Sequence, residues 1–325
     1  MRASFSLFAF SAVATALVIF PNYAAPAKPS PPKFKLAFVT NNPSDYWIVA
    51  RKGVEKAEKE LGIQVDFQIP PNGDTADQAY ILRNLLGQGV QGIAVSPVDP
   101  DNQTALLNTV ASKTLLFTQD ADAPSSNRVC FVGTDNVAAG RQAGEELKRV
   151  LPYGGNIVVC VGKKDARNAS DRIQGLKESL EKTNIKVLDI LVDYTDRSRA
   201  KANVSDTLIK YPKLAACVGI WSYNGPAILS AVKDAHKTGK VKIVCFDEEE
   251  DTLEGVKHGQ ISATVVQQPF EFGYQSIINM AKYLGGDKSV VPPNQRVLIH
   301  TLVIRRDTVD AFAKDLAQKR GPNYR

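Results

Sequence analysis

Short runs of consecutive apolar residues alternate along this chain with longer stretches whose apolar positions recur every three or four residues. "KLAFVT" is followed by such a stretch from Tyr46 to Leu61, "IQVDFQI" by one from Thr75 to Gln88, "GIAVSP" by one from Pro100 to Ser112, and "TLLFTQD" closes the series. Apolar runs without polar alternation predict strands buried on both faces, and the longer recurrent spacing predicts amphipathic helices. The pattern restarts after Pro152: "NIVVCVG", Ser170 to Lys182, "IKVLDILVD", Ala200 to Lys210, "AACVGIW", Gly225 to Lys237, "KIVCFD", Thr252 to His258 and "ISATVVQQ". The halves also resemble each other. "GVEKAEKELGIQV" from Gly53 and "GLKESLEKTNIKV" from Gly175 each open on a glycine, at a point where a helix begins to pack on its sheet and a side chain would be in the way. The predicted fold class is α/β, with two similar doubly wound parallel-sheet lobes joined by a multi-crossover hinge. The expected division gives residues 34–135 and 268–295 to the N-terminal lobe and 136–267 and 296–325 to the C-terminal lobe.

The first residues have a different character. Arg2 precedes an almost wholly apolar or small run, Phe5 to Phe20, and Ala24, Ala25, Pro26 and Ala27 follow. That order reads as a secretory signal peptide over residues 1–27, with a Pro-rich tether over 28–33. An uncleaved anchor is the alternative, but the run is short of the ~20 residues that span a bilayer. The expected location is periplasmic.

A chain of 325 residues suits two domains, and its net charge of +6 is scattered, not gathered into a stripe, so no nucleic-acid partner is expected. Cys130, Cys160, Cys217 and Cys245 each sit in a strand-like apolar run and are expected to be buried free thiols. With no Cys-x-x-Cys pair and three histidines, no metal is expected, and no cofactor either.

Open parallel sheets bind ligands at the carboxyl ends of their strands. In the first half those ends carry Ser44, Tyr46 and Trp47 in "VTNNPSDYW", Ser96 in "AVSP" and Asp120 in "FTQDAD". The second half adds Asn168 and Arg172 in "VGKKDARNASDRIQG", Asp196 in "DYTDR", Trp221 and Asn224 in "IWSYNGP", Asp247 in "FDEEED" and Gln267 in "VVQQP". Aromatic faces that stack on pyranose C–H groups, among side chains that bond hydroxyls in pairs, suit a neutral polyol. Each residue has a plainer reading. The tryptophans could be core, Asp120 and Asp247 helix caps, and Arg172 a structural pin. Glu248 to Asp251 read as carboxylates opening the next helix, where they offset its dipole.

Enzymatic readings lack material. The glycines of a dinucleotide or phosphate loop do not follow the first strand, and no histidine lies at a strand exit. A sugar-responsive repressor would need an N-terminal helix-turn-helix, where this chain has the signal-like run.

The motifs "YW" before "ARKG", "FTQDAD", "VGTDNVAAGRQAG", "NASDRIQG", "SYNGPAILSAV" and "VCFDEEEDTLEGVKHGQISATVVQQP", in this order, resemble the type I periplasmic substrate-binding proteins of the ribose-binding branch. The resemblance covers the mature chain. It implies a non-enzymatic receptor that closes over a monosaccharide or related small polyol, acts as a monomer, and delivers the ligand to an ABC transporter permease. The alternative is delivery to a membrane sensor. It puts Tyr46, Trp47, Asp120, Asn224, Asp247 and Gln267 on ligand contacts. It also places Gly133, Asp135 and Asn136 at the first interlobe crossover, with Gln267-Gln268 and Pro293 to Gln295 at the others. Two departures from the ribose binders stand out. Ala121 occupies the position of an arginine, and the arginine expected near Ser170 is absent, leaving Arg167 or Arg172 as substitutes.

Overall fold

A computed structural model describes residues 34–321 apart from Asp45, so the signal-peptide and tether readings fall outside the described residues. The chain opens with β1 (Leu36–Val39), α1 (Tyr46–Leu61), β2 (Val65–Gln68), α2 (Thr75–Gly87), β3 (Gly92–Val95), α3 (Thr104–Ala111), β4 (Leu115–Gln119) and β5 (Cys130–Thr134). It continues through α4 (Asn136–Val150), β6 (Gly155–Val161), α5 (Arg167–Leu180), β7 (Ile185–Val192), α6 (Arg197–Lys210) and β8 (Ala216–Gly219). Then come α7 (Asn224–Asp234), β9 (Lys242–Phe246), α8 (Glu250–Lys257), β10 (Ala263–Val266), α9 (Pro269–Leu284), β11 (Arg296–Ile299), β12 (Leu302–Ile304) and α10 (Val309–Arg320).

Among the described residues two six-stranded sheets result, ordered β11-β5-β4-β3-β1-β2 and β12-β10-β9-β8-β6-β7. The shared order 5-4-3-1-2, read from β1 and again from β6, is the internal repeat written in strand pairing. All pairings are parallel except that of β12 on β10. Central strands such as β1, β3 and β8 are buried at every residue, which is why they read as unbroken apolar runs. The edge strands β2 and β11 are only partly buried. The four cysteines are free and buried. Burial pushes Cys217 and Cys245 up to about 12, so they pack as small hydrophobes.

The repeated glycines meet another helix, not the sheet. A Cβ on Gly53 of α1 would lie 1.9 Å from the Phe270 carbonyl of α9, and one on Gly273 of α9 would lie 2.1 Å from the Ala50 carbonyl of α1. In the second lobe a Cβ on Gly175 of α5 would lie 1.9 Å from the Val137 carbonyl of α4, and one on Gly140 of α4 would lie 2.0 Å from the Arg172 carbonyl. Each lobe thus contains one helix pair whose backbones touch through reciprocal glycines, and in each pair one member (α9 or α4) is the helix that enters by crossing from the other lobe.

One boundary moves. Residues 296–299, expected in the C-terminal lobe, form β11 and pair with Phe131–Thr134 of the first sheet, so the last crossing falls at His300 and Thr301. "RVLI" has apolar positions able to extend that sheet's edge, and the pairing partner is invisible in a linear pattern. Asp135 begins the first crossing as the cap of α4, accepting from the Ala138 amide at 2.9 Å. Gln268 lies at the second and donates to the His300 carbonyl of the third at 2.6 Å.

Candidate functional site

The carboxyl ends of both sheets face a cavity of about 800 Å³. Its floor begins with the exits of β4 and β9, equivalent strands in the repeat. Asp120 follows β4 with φ 58° and Asp247 follows β9 with φ 67°. Both occupy the left-handed region, which aspartate tolerates better than most residues but which still stores strain. Each is held by the same bond to the next strand. The Asp120 amide donates to the Val132 carbonyl at 3.1 Å and the Asp247 amide to the Val265 carbonyl at 2.9 Å. Neither carboxylate caps a helix, so the cap reading of these two aspartates is set aside.

In the first lobe, Tyr46 Oη donates to Asp120 Oδ1 at 3.0 Å and Ser96 Oγ to Oδ2 at 3.2 Å. Ser96 is itself fully buried and accepts from Asn41 Nδ2 at 3.0 Å. It holds the aspartate without bordering the cavity, because its hydroxyl is spent inside the sheet. Buried Gln78 on α2 donates to the carbonyls of Thr40 and Ser96, tying the exits of β1 and β3 together. Burial pushes Asp120 up to about 6, although both hydroxyl donors pull the other way. Burial, then the facing carboxylates of Asp120, Asp247 and Glu248, raise Tyr46 well above its ordinary value.

In the second lobe, Arg172 is 1% exposed. Its Nε donates to Asn136 Oδ1 at 2.9 Å and its Nη1 to the Ile220 carbonyl at 2.8 Å, while the guanidinium lies 4.4 Å from the Phe246 ring centre. The same Nη1 stands 3.9 Å from Asp247 Oδ2. The pin and the wall residue are one side chain. Arg167 is exposed and pairs with Asp171, away from the cavity. Gln267 Nε2 donates to Asp247 Oδ1 at 3.3 Å. Burial raises Asp247 above the usual carboxylate range, against the pull of Arg172.

Ser44, Tyr46, Trp47, Asp120, Asn168, Arg172, Trp221, Asp247 and Gln267 border the cavity; Ser96, Asp196 and Asn224 do not. Asp196 caps α6, accepting from the amides of Ser198 and Arg199, since its strand exit lies toward the sheet's edge. Asn224 is fully buried; it accepts from the Trp221 amide at 3.0 Å and donates to Asp193 Oδ2 at 3.0 Å, shaping the wall from behind. Asp193 also accepts from Tyr223 Oη. Trp47 reaches the cavity but is only 1% exposed, edge-on to Phe38 and Tyr46. Beside Tyr223, which is buried, the more open aromatic walls are therefore Tyr46 and Trp221, the latter lying against Gly162, where a Cβ would come within 2.0 Å of its ring.

The sequence reading missed Asn41, Asn42, Arg197, Tyr223, Glu248 and Arg320, all of which border the cavity. Asn41 and Asn42 directly follow the first strand and were legible as such. Arg320 comes from the far end of α10, where no local pattern marks it. Glu248 corrects the reading of the acidic run as helix chemistry. The helix begins at Glu250, Glu249 forms an ion pair with Arg197 at 2.7 Å, and Glu248 is 5% exposed against the cavity. Burial and the neighbouring Asp247 push Glu248 up to about 8.

Residues 36–288 match the periplasmic binding protein domain family. The D-allose-binding periplasmic protein of Escherichia coli K12 is 29% identical over 239 residues, which is 70% of this chain and 77% of that protein. The ribose import binding protein RbsB of Haemophilus influenzae is 27% identical over 262 residues, 78% of this chain and 87% of its own. Among solved structures, GanP, a glucose-galactose binding protein from Geobacillus stearothermophilus, superposes with a TM-score of 0.77 at 28% identity, covering 85% of this chain and 99% of that one. The family match, the repeated strand order and the interlobe cavity agree: this chain belongs to the periplasmic binding protein family, resembles its ribose-binding branch, and is a solute-binding protein, not an enzyme.

Proposed function

We propose that this protein acts outside the cytoplasm as a monomeric receptor that closes its two lobes over a monosaccharide or related small polyol and passes it to an ABC importer. The observation that carries this reading is the matched pair of left-handed aspartates, Asp120 and Asp247, one from each lobe, facing a single cavity between aromatic walls. Each carboxylate keeps acceptor capacity for sugar hydroxyls beyond its protein partners. Arg172 and Gln267 fix Asp247, Tyr46 and Ser96 fix Asp120, and Tyr46 and Trp221 offer faces for ring C–H groups. A cavity of about 800 Å³ suits a small ligand. The three crossings at Asp135, Gln267-Gln268 and His300-Thr301 act as the hinge. A ligand that touches both lobes only when they close shifts the population toward the closed form.

A thermal-shift panel of neutral pentoses and hexoses tests the reading. The cognate sugar at 100 times its dissociation constant adds roughly 2.7 kcal/mol to the folded state. Asp247→Ala should weaken its binding by at least ~2 kcal/mol by calorimetry while the variant folds normally. Unchanged affinity removes Asp247 from the site.

A further inference from the structure

Three features of the cavity go beyond what a neutral polyol requires. Among the described residues, six carboxylates border it against three guanidinium groups. One of the six, Glu248, is 95% buried by its 5% exposure, yet its Oε2 has no hydrogen-bond partner among the described residues. A buried carboxylate oxygen left unanswered costs on the order of 1–3 kcal/mol, more when charged, and at this cavity wall no donor of the described residues answers it. The third feature is where the guanidinium groups are committed. Arg197 forms its ion pair with Glu249 and Arg172 binds Asn136 and the Ile220 carbonyl beside Asp247.

Resting on the sugar-receptor reading above, we propose that the ligand carries a protonated amine, as in an amino sugar, and that Glu248 receives it beside Asp247. An ammonium group supplies donors to both neighbouring carboxylates and offsets the negative excess of the wall, which a hydroxyl cannot do. Arg320 on α10 pulls Glu248 down, yet burial and Asp247 leave its carboxyl raised to about 8, so at pH 7 the unliganded side chain holds a proton that the arriving ammonium group displaces. Glu248 is a specificity-determining residue in this scheme: Asp120, Asp247 and Arg172 hold the hydroxyls common to all sugars, and Glu248 distinguishes the amine.

Calorimetry at pH 7 with matched pairs tests this: glucosamine against glucose, galactosamine against galactose, mannosamine against mannose. The wild-type protein should bind the amine form of at least one pair about tenfold or more tighter than its hydroxyl partner, the scale of one charge-assisted bond. Glu248→Gln should bring that ratio close to one while the neutral sugar still binds. Hydroxyl forms that bind as tightly as amines in every pair overturn the inference and leave the sugar-receptor reading standing. A preference that survives in Glu248→Gln overturns the assignment to Glu248. Absence of binding by both the amino sugars and the neutral panel removes both readings. If Glu248→Gln fails to fold, the wild-type ratios alone decide.

Discussion

Asp120 illustrates the cost of holding a binding group ready. Its carboxyl is pushed up to about 6 by burial, so the native state takes up a proton between about pH 4 and pH 6 that the unfolded chain releases. The stability from that proton is fully present below about pH 4 and lost as the pH rises through 6. Asp120→Asn removes the charge and should therefore be more stable than wild type above pH 6, by about 1–3 kcal/mol, with the difference vanishing below pH 4. Thermal unfolding followed across that range checks it, and an equal difference at both ends refutes it. The two tryptophans divide in the same way between stability and binding. Trp47 is enclosed by Phe38 and Tyr46, so Trp47→Ala should cost about 3–5 kcal/mol of stability in denaturant unfolding. Trp221, partly exposed against Gly162, is left to report ligand by its emission, and emission that persists unchanged through saturation in Trp47→Phe places Trp221 away from the ligand.

Helix pairs set the position of these residues. Arg172 sits on α5 one turn before Gly175, where α5 touches α4 through the Val137 carbonyl, so the closeness of that crossing fixes where the guanidinium stands. A methyl group at Gly175 would lie 1.9 Å from that carbonyl and force the pair apart. Gly175→Ala should destabilise the protein by at least ~1–3 kcal/mol by urea unfolding, and should weaken ligand binding more than the equivalent Gly53→Ala in the first lobe. Equal losses of affinity in both variants would sever the link between that crossing and Arg172. The glycines were legible as marks of close approach, but their partner was not. A helix that packs on another helix and one that packs on a sheet demand the same small residue, and only the crossover that brings α4 and α9 into their lobes decides between them.

At the level of the molecule, the three crossings connect lobes that each bury their own sheet, while α10 packs on both α1 and α8. Ligand closure should reduce the radius of gyration in solution scattering, and a cognate sugar that leaves the scattering unchanged would exclude hinge closure. How much of this was written in the chain follows from the range of each signal. Unbroken runs such as "LAFV" and "GIAV", the amphipathic spacing between them, and the restart after Pro152 determined the α/β class, the repeat and the strand exits, because burial on both faces and helical period are local properties of sequence. Asp120, Asp247 and Gln267 were placed at the cavity's edge from there, since a strand's end is a fixed position once the strand is known. Tertiary structure alone decided the rest. Ser96 and Asn224 point their polar atoms at buried partners, Asp196 caps a helix near a sheet edge, Trp47 packs inward, β11 joins the first sheet, and Glu248 turns into the cavity beside Arg320. Each of these depends on what a residue meets across the fold, and contacts between segments distant in the chain leave no period in the sequence that specifies them.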